Sequence, residues 1–425
     1  MRKFSFDTLS CHATALSPRK SVIVTSVQAW LSAQCSDPQR RWVLTMQMAL
    51  KALFGADPWI GFDRFMGFAL LDPEHGFYSQ AGPVFGGDGH FVTAPLLGDW
   101  LARLVAQQAV DLAPQIEALN QAFSVCEYGP GNGRLAVDLL AGMGRQGLWP
   151  NHYELIEASA ARQAEQAAVL TSGLGGISAA TRLQWAKIMS PLSGLLVANE
   201  FLDALPVRLF EWQPDHPDGP VLEWGLGLAG PGERLQWQAR AAETQLREQV
   251  IARAKAACER GLGWRPGHRG EWCPGLRPWV QTVSQQLLAG EVLVVDYGYE
   301  AYELDHCDRP FGTLAGHSGH RRIDDREELI NRPGTIDLTS HVNFTELAQA
   351  FLDEGFEVGL HTQAAWMLDQ GILDQARDLL FEGVGRAAGA VPSDRAALAQ
   401  LSQLQMLLGD SAMGQSFMVL SARRL

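Results

Sequence analysis

Short apolar segments alternate with amphipathic segments through the middle of the chain. The segments Phe123–Tyr128, Tyr153–Ile156 and Leu195–Ala198 are apolar, and a polar or glycine-rich turn follows each of them. Between them, apolar residues recur three and four positions apart near Leu135–Leu140 and Arg162–Leu170, which predicts helices. Strands that alternate with helices predict an α/β domain with a doubly wound parallel sheet and right-handed crossovers.

The alternation pauses after the third of these strands. The stretch from Phe210 to Gly290 is rich in Trp and Gly and contains helical patterns near Ala241–Glu259 and Trp279–Leu288. A buried strand then resumes at Val292–Val295. We therefore predict an insertion at about residues 211–290 between two neighbouring strands of one sheet. A separate domain is the alternative, but no Pro/Ser-rich linker marks its edges.

The segments before and after this α/β unit also contain predicted helices and strands. Met46–Leu71 has a helical pattern, and a second helix is predicted near Leu96–Val110. The region Ala301–Asn343 is polar and loop-like, and the tail from Phe344 predicts helices and strands that close on an edge strand at Ser416–Ser421. The predicted division is a poorly ordered extension at 1–45, an N-terminal helical part at 46–120, and the α/β domain at 121–425.

The first 45 residues combine several serines with basic residues and few acids; the basic residues are Arg2, Lys3, Arg19, Lys20, Arg40 and Arg41. This composition loosely resembles a mitochondrial transit peptide. A poorly ordered bacterial extension, or a start codon placed too early, is the simpler interpretation and the one we favour. The expected location is therefore the cytoplasm of a bacterium, with the mitochondrial matrix as the alternative.

Composition excludes several classes of function. Lys and Arg total 34 against 47 for Asp and Glu, a formal charge of −13, which disfavours nucleic acid as the main partner. The 6 cysteines are scattered without C-x-x-C spacing, so we expect reduced thiols and no metal site. We expect neither a membrane span nor a secretory signal, because no apolar run approaches the roughly 20 residues of a span.

A glycine-rich turn joins the first predicted strand to the next helix: Glu127-Tyr128-Gly129-Pro130-Gly131-Asn132-Gly133-Arg134. Glycines there let the backbone approach a nucleoside cofactor. The spacing is G-x-G-x-G, as in many methyltransferases. The dinucleotide fingerprint would place a glycine at position 134, so Arg134 argues against the alternative of a nicotinamide oxidoreductase.

Two acids follow adjacent predicted strands and complete a candidate cofactor site. Glu127 ends the first strand, where its carboxylate can reach the cationic end of a methionine-derived cofactor. Glu157 ends the second, about 24 residues after Gly133, near the roughly 20-residue offset at which an acid binds ribose hydroxyls. Either acid alone could be a solvated strand end. Together they lie where parallel sheets bind ligands.

The next strand ends at Asn199, which we assign to the cofactor side, and continues into Glu200-Phe201-Leu202-Asp203. Paired carboxylates can hold an amine or guanidine acceptor bidentately, so Glu200 and Asp203 are candidate acceptor-binding residues. The alternative is a helix N-terminus at which the dipole favours acids.

Further polar candidates follow the next strand and the polar region after it. Asp296 and Tyr297 end the strand at Val292–Val295 and could line the acceptor pocket. His320 and His341 are candidate polar groups at the same site, although an isolated histidine is more often structural. Nothing in their spacing demands a metal.

These segments together resemble the MidA-like methyltransferases, relatives of the arginine methyltransferase that assists respiratory complex I assembly. The resemblance runs from about Leu50 to the C-terminus and rests on the segments 71–78, 89–95, 127–135, 199–206, 296–298 and 337–344. It implies a class I (Rossmann-like) sheet, S-adenosylmethionine as cofactor, and a loop over the cofactor that places Thr93 and Pro95 beside it. From the mitochondrial member it implies symmetric dimethylation of an arginine on a complex I subunit.

The chain departs from the family pattern at three places. His90 stands where the family usually has Asp, and both Ala315-Gly316-His317 and Thr335-Ile336 differ on the presumed acceptor side. Substrate identity is therefore less constrained by the resemblance than cofactor binding is. We predict a protein arginine methyltransferase. The alternative is a binding module that uses the fold, with or without cofactor, to hold a partner. The sequence leaves open whether the chain forms a homodimer.

Overall fold

The computed structural model describes residues 38–80, 98–174, 181–229, 234–381, 395–409 and 413–425. In chain order the strands are β1 Trp59–Gly61, β2 Phe123–Tyr128, β3 His152–Ile156, β4 Arg182–Ala186, β5 Leu192–Asn199, β6 Arg208–Trp212, β7 Val221–Ala229, β8 Arg234–Ala241, β9 His268–Trp272, β10 Leu287–Tyr299, β11 Ala315–Ser318, β12 Arg321–Ile323, β13 Asp337–Thr339, β14 Val342–Asn343, β15 Glu357–Thr362 and β16 Phe417–Arg424.

Helices cover much of the remaining chain. They are α1 Pro38–Phe54, α2 Phe62–Leu71, α3 Trp100–Ala118, α4 Arg134–Arg145, α5 Ala160–Gly173, α6 Thr244–Glu259, α7 Leu276–Gln286, α8 Ala301–Leu304, α9 Arg326–Asn331, α10 Phe344–Asp353, α11 Gln363–Asp369, α12 Ile372–Phe381, α13 Arg395–Leu408 and α14 Met413–Ser416, with a 3-10 turn at Phe77–Ser79. Because α1 begins at Pro38, the boundary expected at residue 45 falls inside a helix.

The central sheet has the strand order β4-β3-β2-β5-β10-β16-β15, with β14 pairing the end of β10. The pairs from β4 to β10 are parallel, whereas β16 runs antiparallel between β10 and β15. Strand order reverses between β2 and β5, and ligands bind at such a switch point outside the carboxyl ends of the strands. The predicted doubly wound α/β fold is confirmed.

Helices cover both faces of this sheet. Along β10, Leu293 and Val295 join one apolar cluster while Val292 and Val294 join another, because successive strand residues point to opposite faces. All four are fully buried. This two-sided burial explains why the strands are continuous apolar runs in the sequence.

The segment between β5 and β10 contains a second sheet. Strands β6, β7, β8 and β9 pair antiparallel within it, and β1 from the N-terminal part adds to the edge of β7. A third apolar cluster joins the N-terminal helices to this sheet and to the region after β10; it includes Phe62, Phe65, Leu209 and Leu338. The N-terminal part thus shares its core with the insertion.

The region predicted to be loop-like, Ala301–Asn343, is instead largely ordered. It contains α8, α9 and a small antiparallel sheet in the order β12-β11-β13. Its strands are only three or four residues long, which is too short for a period-2 pattern to be recognised in the sequence. Within the described parts of the chain, no helix is long and apolar enough to cross a membrane.

Candidate active site

The glycine turn lies between β2 and α4 at the switch point of the sheet. Gly129, Gly131 and Gly133 have φ values of 62°, 53° and 85°, in the left-handed region that favours glycine. A Cβ on Gly129 would lie 2.9 Å from the ring of Phe201, so the turn also packs too closely for a side chain. The result is a backbone surface without side chains at the carboxyl end of β2, as nucleoside binding requires.

Glu127 is the residue before the last of β2 and is 2% exposed. The hydroxyl of Tyr153, on the neighbouring strand β3, donates a hydrogen bond of 2.5 Å to its Oε2. Burial raises the pKa of Glu127 to about 7, while the Tyr153 hydroxyl favours the ionised form. The structure therefore holds this carboxylate in a fixed orientation beside the glycine turn.

Glu157 follows β3, next to Glu127 on the same edge of the sheet. Its two oxygens accept hydrogen bonds from the Ser159 backbone N–H at 2.8 Å and from Gln166 Nε2 at 3.1 Å. Gln166 also donates to the Gly131 carbonyl at 2.9 Å and accepts from the Trp185 indole at 2.8 Å. Gln166, which the sequence analysis missed, thus ties Glu157 to the glycine turn.

Asn199 ends β5, which lies beside β2. Its amide nitrogen donates to Glu200 Oε1 at 3.4 Å, but its Oδ1 is buried without a hydrogen-bond partner among the described residues. An orphaned buried acceptor at the switch point suits a ligand with a donor group. The half-buried backbone of Gly129 and Gly131, the oriented Glu127 and this acceptor together fit a nucleoside cofactor with a cationic end. The predicted Thr93 and Pro95 lie outside the described residues.

The loop after β5 is held by Asp296, at the end of the neighbouring strand β10. Asp296 Oδ2 accepts hydrogen bonds from the backbone N–H groups of Phe201, Leu202 and Asp203 at 3.1, 2.8 and 3.3 Å. Its Oδ1 accepts from the Tyr297 N–H at 2.8 Å. Asp296 is fully buried. Both oxygens of Asp296 therefore bind backbone and hold the loop, and a place for Asp296 in the acceptor pocket stays a prediction.

Glu200 has a strained backbone at the start of this loop. Its φ is 49°, which side-chain-bearing residues rarely adopt, and its N–H donates to the Val295 carbonyl at 2.9 Å. Strain of this kind persists only where surrounding contacts impose it, and it clusters at functional sites. Asp296 supplies those contacts through the three N–H groups that follow.

A group of four carboxylates lies in and beside this loop; its members are Glu200, which is half-buried, and the buried Asp203, Asp296 and Asp337. Asp203 is 5% exposed and Asp337 3%. Burial, together with repulsion from the other three carboxylates, raises the pKa of Asp203 well above its usual range. Burial also raises the pKa values of Asp296 and Asp337 to about 7. No basic side chain of the described residues forms a salt bridge with Asp203, Asp296 or Asp337.

Two tyrosines border the carboxylate group. Tyr297 lies in the field of all four carboxylates, and burial together with that field raises its pKa. Tyr78, from the 3-10 turn of the N-terminal part, donates a 2.7 Å hydrogen bond from its hydroxyl to Asp337 Oδ1. Tyr78 and Asp337 lie in two of the segments that carry the family resemblance, but no role was predicted for either, and neither lies in the loops after β5 and β10.

The two candidate histidines are in different surroundings. His341 packs against Tyr297 and Tyr299, with ring centroids 6.2 and 5.1 Å apart. Burial lowers its pKa to about 4, so it is neutral at pH 7. His320 is exposed in the turn between β11 and β12, where it and Gly319 have φ values of 60° and 56°. Positive φ at both central residues is the geometry of a type I′ hairpin turn, which accounts for the backbone conformation of His320; its place at the site stays a prediction.

An arginine that the sequence analysis missed fixes Tyr78. Arg162, on α5, donates from its guanidinium to the carbonyls of Tyr78 and Gln80 at 3.2 and 3.0 Å. It also pairs with Glu165 at 2.6 Å and is 3% exposed. Arg162 lies in the electrostatic field of Glu157. The segment that carries Tyr78 is therefore fastened beside the candidate cofactor site.

Known proteins resemble this chain over most of its length. Protein arginine methyltransferase NDUFAF7 of Danio rerio is 23% identical over 92% of this chain and 89% of its own, and that of Mus musculus is 25% identical over 83% and 78%. A crystal structure of a "likely methyl transferase" from Burkholderia thailandensis bound to S-adenosyl-homocysteine is 27% identical. It covers 92% of this chain and 95% of its own, with a TM-score of 0.78.

A family model matches residues 98–361, which include β2 to β10 and the carboxylate group. Its description is "Putative S-adenosyl-L-methionine-dependent methyltransferase". The Burkholderia thailandensis neighbour holds S-adenosyl-homocysteine, the demethylated product of that cofactor. The chain belongs to this family, the MidA-like methyltransferases, with S-adenosylmethionine as its cofactor and a class I fold.

Proposed function

We propose that the chain transfers a methyl group from S-adenosylmethionine to the guanidinium of an arginine in a protein. The observation that carries this proposal is the group of buried carboxylates next to the cofactor turn. Buried carboxylates are costly unless a cation pairs with them, and Asp203, Asp296 and Asp337 have no basic partner among the described residues. A cationic acceptor supplies the missing charge. The relatives named as protein arginine methyltransferases support the same acceptor.

In this proposal the cofactor lies across the carboxyl ends of β2, β3 and β5. Glu127 binds the cationic amino group of the methionyl part, and Glu157 binds the ribose hydroxyls. The backbone of Gly129, Gly131 and Gly133 lies against the cofactor, and Asn199 Oδ1 accepts one of its N–H groups. Thr93 and Pro95 cover it, as the family resemblance implies. The cofactor supplies an electrophilic methyl group on a sulfonium.

In this proposal Glu200 and Asp203, in the loop after β5, bind the acceptor. A planar guanidinium with five N–H donors suits carboxylate pairs, which fix its plane and leave one nitrogen aimed at the methyl group. Tyr297 borders the same space, and His341 packs behind Tyr297. Methylation releases a proton, and a carboxylate of raised pKa such as Asp203 is a suitable acceptor for it.

The identity of the acceptor protein is a more specific part of this proposal. The motif resemblance makes a respiratory complex I subunit the first candidate, in a bacterial cytoplasm or, alternatively, in a mitochondrial matrix. A homodimer is compatible with this activity and is not required by it.

Labelled methyl transfer into a cell lysate tests the proposed reaction. Wild-type protein should label a protein on arginine, as shown by mass spectrometry. Glu200→Gln should retain S-adenosylmethionine binding by calorimetry but lose transfer, because it removes an acceptor ligand and keeps the cofactor residues. Equal loss of binding and transfer would remove Glu200 from the acceptor role. A Glu200→Gln chain that still complements a deletion strain would favour the partner-binding alternative.

A further inference from the structure

We propose that Asp337 and Tyr78 form a second wall of the acceptor site, where Asp337 binds the acceptor guanidinium and Tyr78 positions Asp337. This inference rests on the proposed arginine methyltransferase activity. It adds ligands from two chain segments that lie outside the loops after β5 and β10.

The free oxygens distinguish Asp337 from Asp296. Both oxygens of Asp296 accept hydrogen bonds from backbone N–H groups, so its carboxylate holds the loop. Among the described residues, Asp337 accepts one side-chain hydrogen bond, from the Tyr78 hydroxyl to Oδ1. A carboxylate has about four acceptor positions. Asp337 therefore keeps most of its capacity, including all of Oδ2, for an incoming donor.

Asp337 is attached to the same loop that carries Asp203. It begins β13, and the backbone N–H of Ser340, three residues later, donates to the Asp203 carbonyl at 3.0 Å. The Asp337 carboxylate raises the pKa of Asp203, so the two charges are close enough to interact. Two carboxylates near each other, from separate segments, can contact two edges of one planar group.

Tyr78 reaches this wall from the N-terminal part and is held at both ends. Its hydroxyl binds Asp337, while its backbone carbonyl accepts from Arg162 at 3.2 Å. The field of Asp337, Asp203 and Glu200 acts on the Tyr78 ring. A tyrosine hydroxyl that donates to a carboxylate both orients it and favours its ionised form. Tyr78 is therefore a positioning residue for Asp337.

The wall favours a guanidinium over an ammonium ion. A guanidinium presents donors along several edges of a plane, whereas an ammonium is a compact point charge with three donors. Carboxylates from two chain segments, Glu200 and Asp203 in the loop after β5 and Asp337 at the start of β13, match the planar group. Removing Asp337 should therefore weaken the binding of an arginine acceptor and reduce discrimination against lysine.

Steady-state methyl transfer with the full-length chain tests the inference. The probe is a Gly-Arg-Gly-rich peptide, or the arginine protein found by lysate labelling, with a lysine counterpart as control. Asp337→Asn should raise the KM for the acceptor at least ten-fold and leave S-adenosyl-homocysteine affinity unchanged. Tyr78→Phe should raise the same KM by a smaller factor, and the double variant should equal Asp337→Asn. The matched controls are the exposed Asp324→Asn and Tyr302→Phe.

The outcomes separate the inference from the activity on which it rests. If wild-type protein methylates arginine and Asp337→Asn keeps the wild-type KM, the second wall is refuted and the proposed function stands. If wild-type protein binds S-adenosylmethionine but methylates no arginine, both fail. If Asp337→Asn does not fold, Tyr78→Phe decides: a raised acceptor KM at unchanged cofactor affinity supports the wall, and an unchanged KM overturns it. Partial recovery by Asp337→Glu supports a direct charge contact.

Discussion

The Tyr153 hydroxyl lies 2.5 Å from Oε2 of Glu127, across the pair of strands β2 and β3. Both residues are buried, and Tyr153 has no exposed surface. Strand register explains the contact, because Val125 is paired with Tyr153, which brings the tyrosine within reach of Glu127 two residues further along. A residue of the apolar core thus orients the carboxylate that we assign to the cofactor.

Replacing Tyr153 with Phe tests this orientation. The ring and its packing remain, but the buried carboxylate loses its donor, so S-adenosylmethionine should bind several-fold more weakly. The free energy of unfolding should fall by about 1–3 kcal/mol, the usual cost of leaving a buried polar group without its partner. Calorimetric titration and chemical unfolding measure the two effects. An exposed Tyr302→Phe change should alter neither, and a Tyr153→Phe protein with wild-type affinity would contradict the role.

The buried carboxylates predict how stability depends on pH. The pKa values of Asp296 and Asp337 are raised to about 7 in the folded chain, against 3.8 for a solvated aspartate. Between about pH 4 and 7 the folded chain therefore binds more protons than the unfolded chain, and stability falls as the pH rises. Without ligand, each of the two groups should lower the free energy of unfolding by roughly 3 kcal/mol over this range.

Chemical unfolding at several pH values measures this slope. Asp337→Asn should flatten it, because the variant no longer carries one of the carboxyl groups that must ionise in the core. The exposed Asp324→Asn is the control and should keep the wild-type slope. Stability that instead rises between pH 4 and 7 would show that these carboxylates have cationic partners in the folded chain.

Local sequence patterns were sufficient to predict the central sheet and the glycine turn. Continuous apolar strands, glycines at fixed offsets and an acid after each strand are all short-range signals. They predicted Glu127 and Glu157 and the strands that present them. The contact between Tyr78 and Asp337 spans 259 positions, and no local pattern relates two such residues. The strand β1 was missed for a similar reason, since three residues, Trp59–Gly61, are too few to show a period.

Asp296 shows a different limit of sequence reasoning. An acid at the end of β10 is correctly placed at the site by the rule for parallel sheets. The rule does not say whether its oxygens face a ligand or the protein. The answer depends on the loop after β5. This loop begins with the positive φ of Glu200, and the N–H groups of the next three residues, Phe201, Leu202 and Asp203, donate to the Asp296 carboxylate.

Replacing Asp296 with Asn should therefore release this loop. An amide oxygen can replace one acceptor, but its NH₂ group faces N–H donors at the other position. Because Glu200 and Asp203 lose their fixed positions, kcat for methyl transfer should fall at least ten-fold while cofactor affinity stays near the wild-type value. Single-turnover transfer and calorimetry make this comparison. Equal weakening of cofactor binding would mean that Asp296 acts on the cofactor side of the site.

Gln166 offers a test of the link between Glu157 and the glycine turn. Gln166→Leu keeps the side-chain volume but removes the donor to Glu157 and to the Gly131 carbonyl and leaves the Trp185 indole without its acceptor. We expect S-adenosylmethionine to bind about ten-fold more weakly, because a ribose ligand and the cofactor turn lose their common support. Gln163→Leu, on the same helix, removes only a donor to the Glu157 backbone carbonyl and is the matched control. If Glu157 binds the cofactor, the Gln166 variant should lose more affinity for S-adenosylmethionine than the Gln163 variant. Equal losses would refute a specific role for the Gln166 amide.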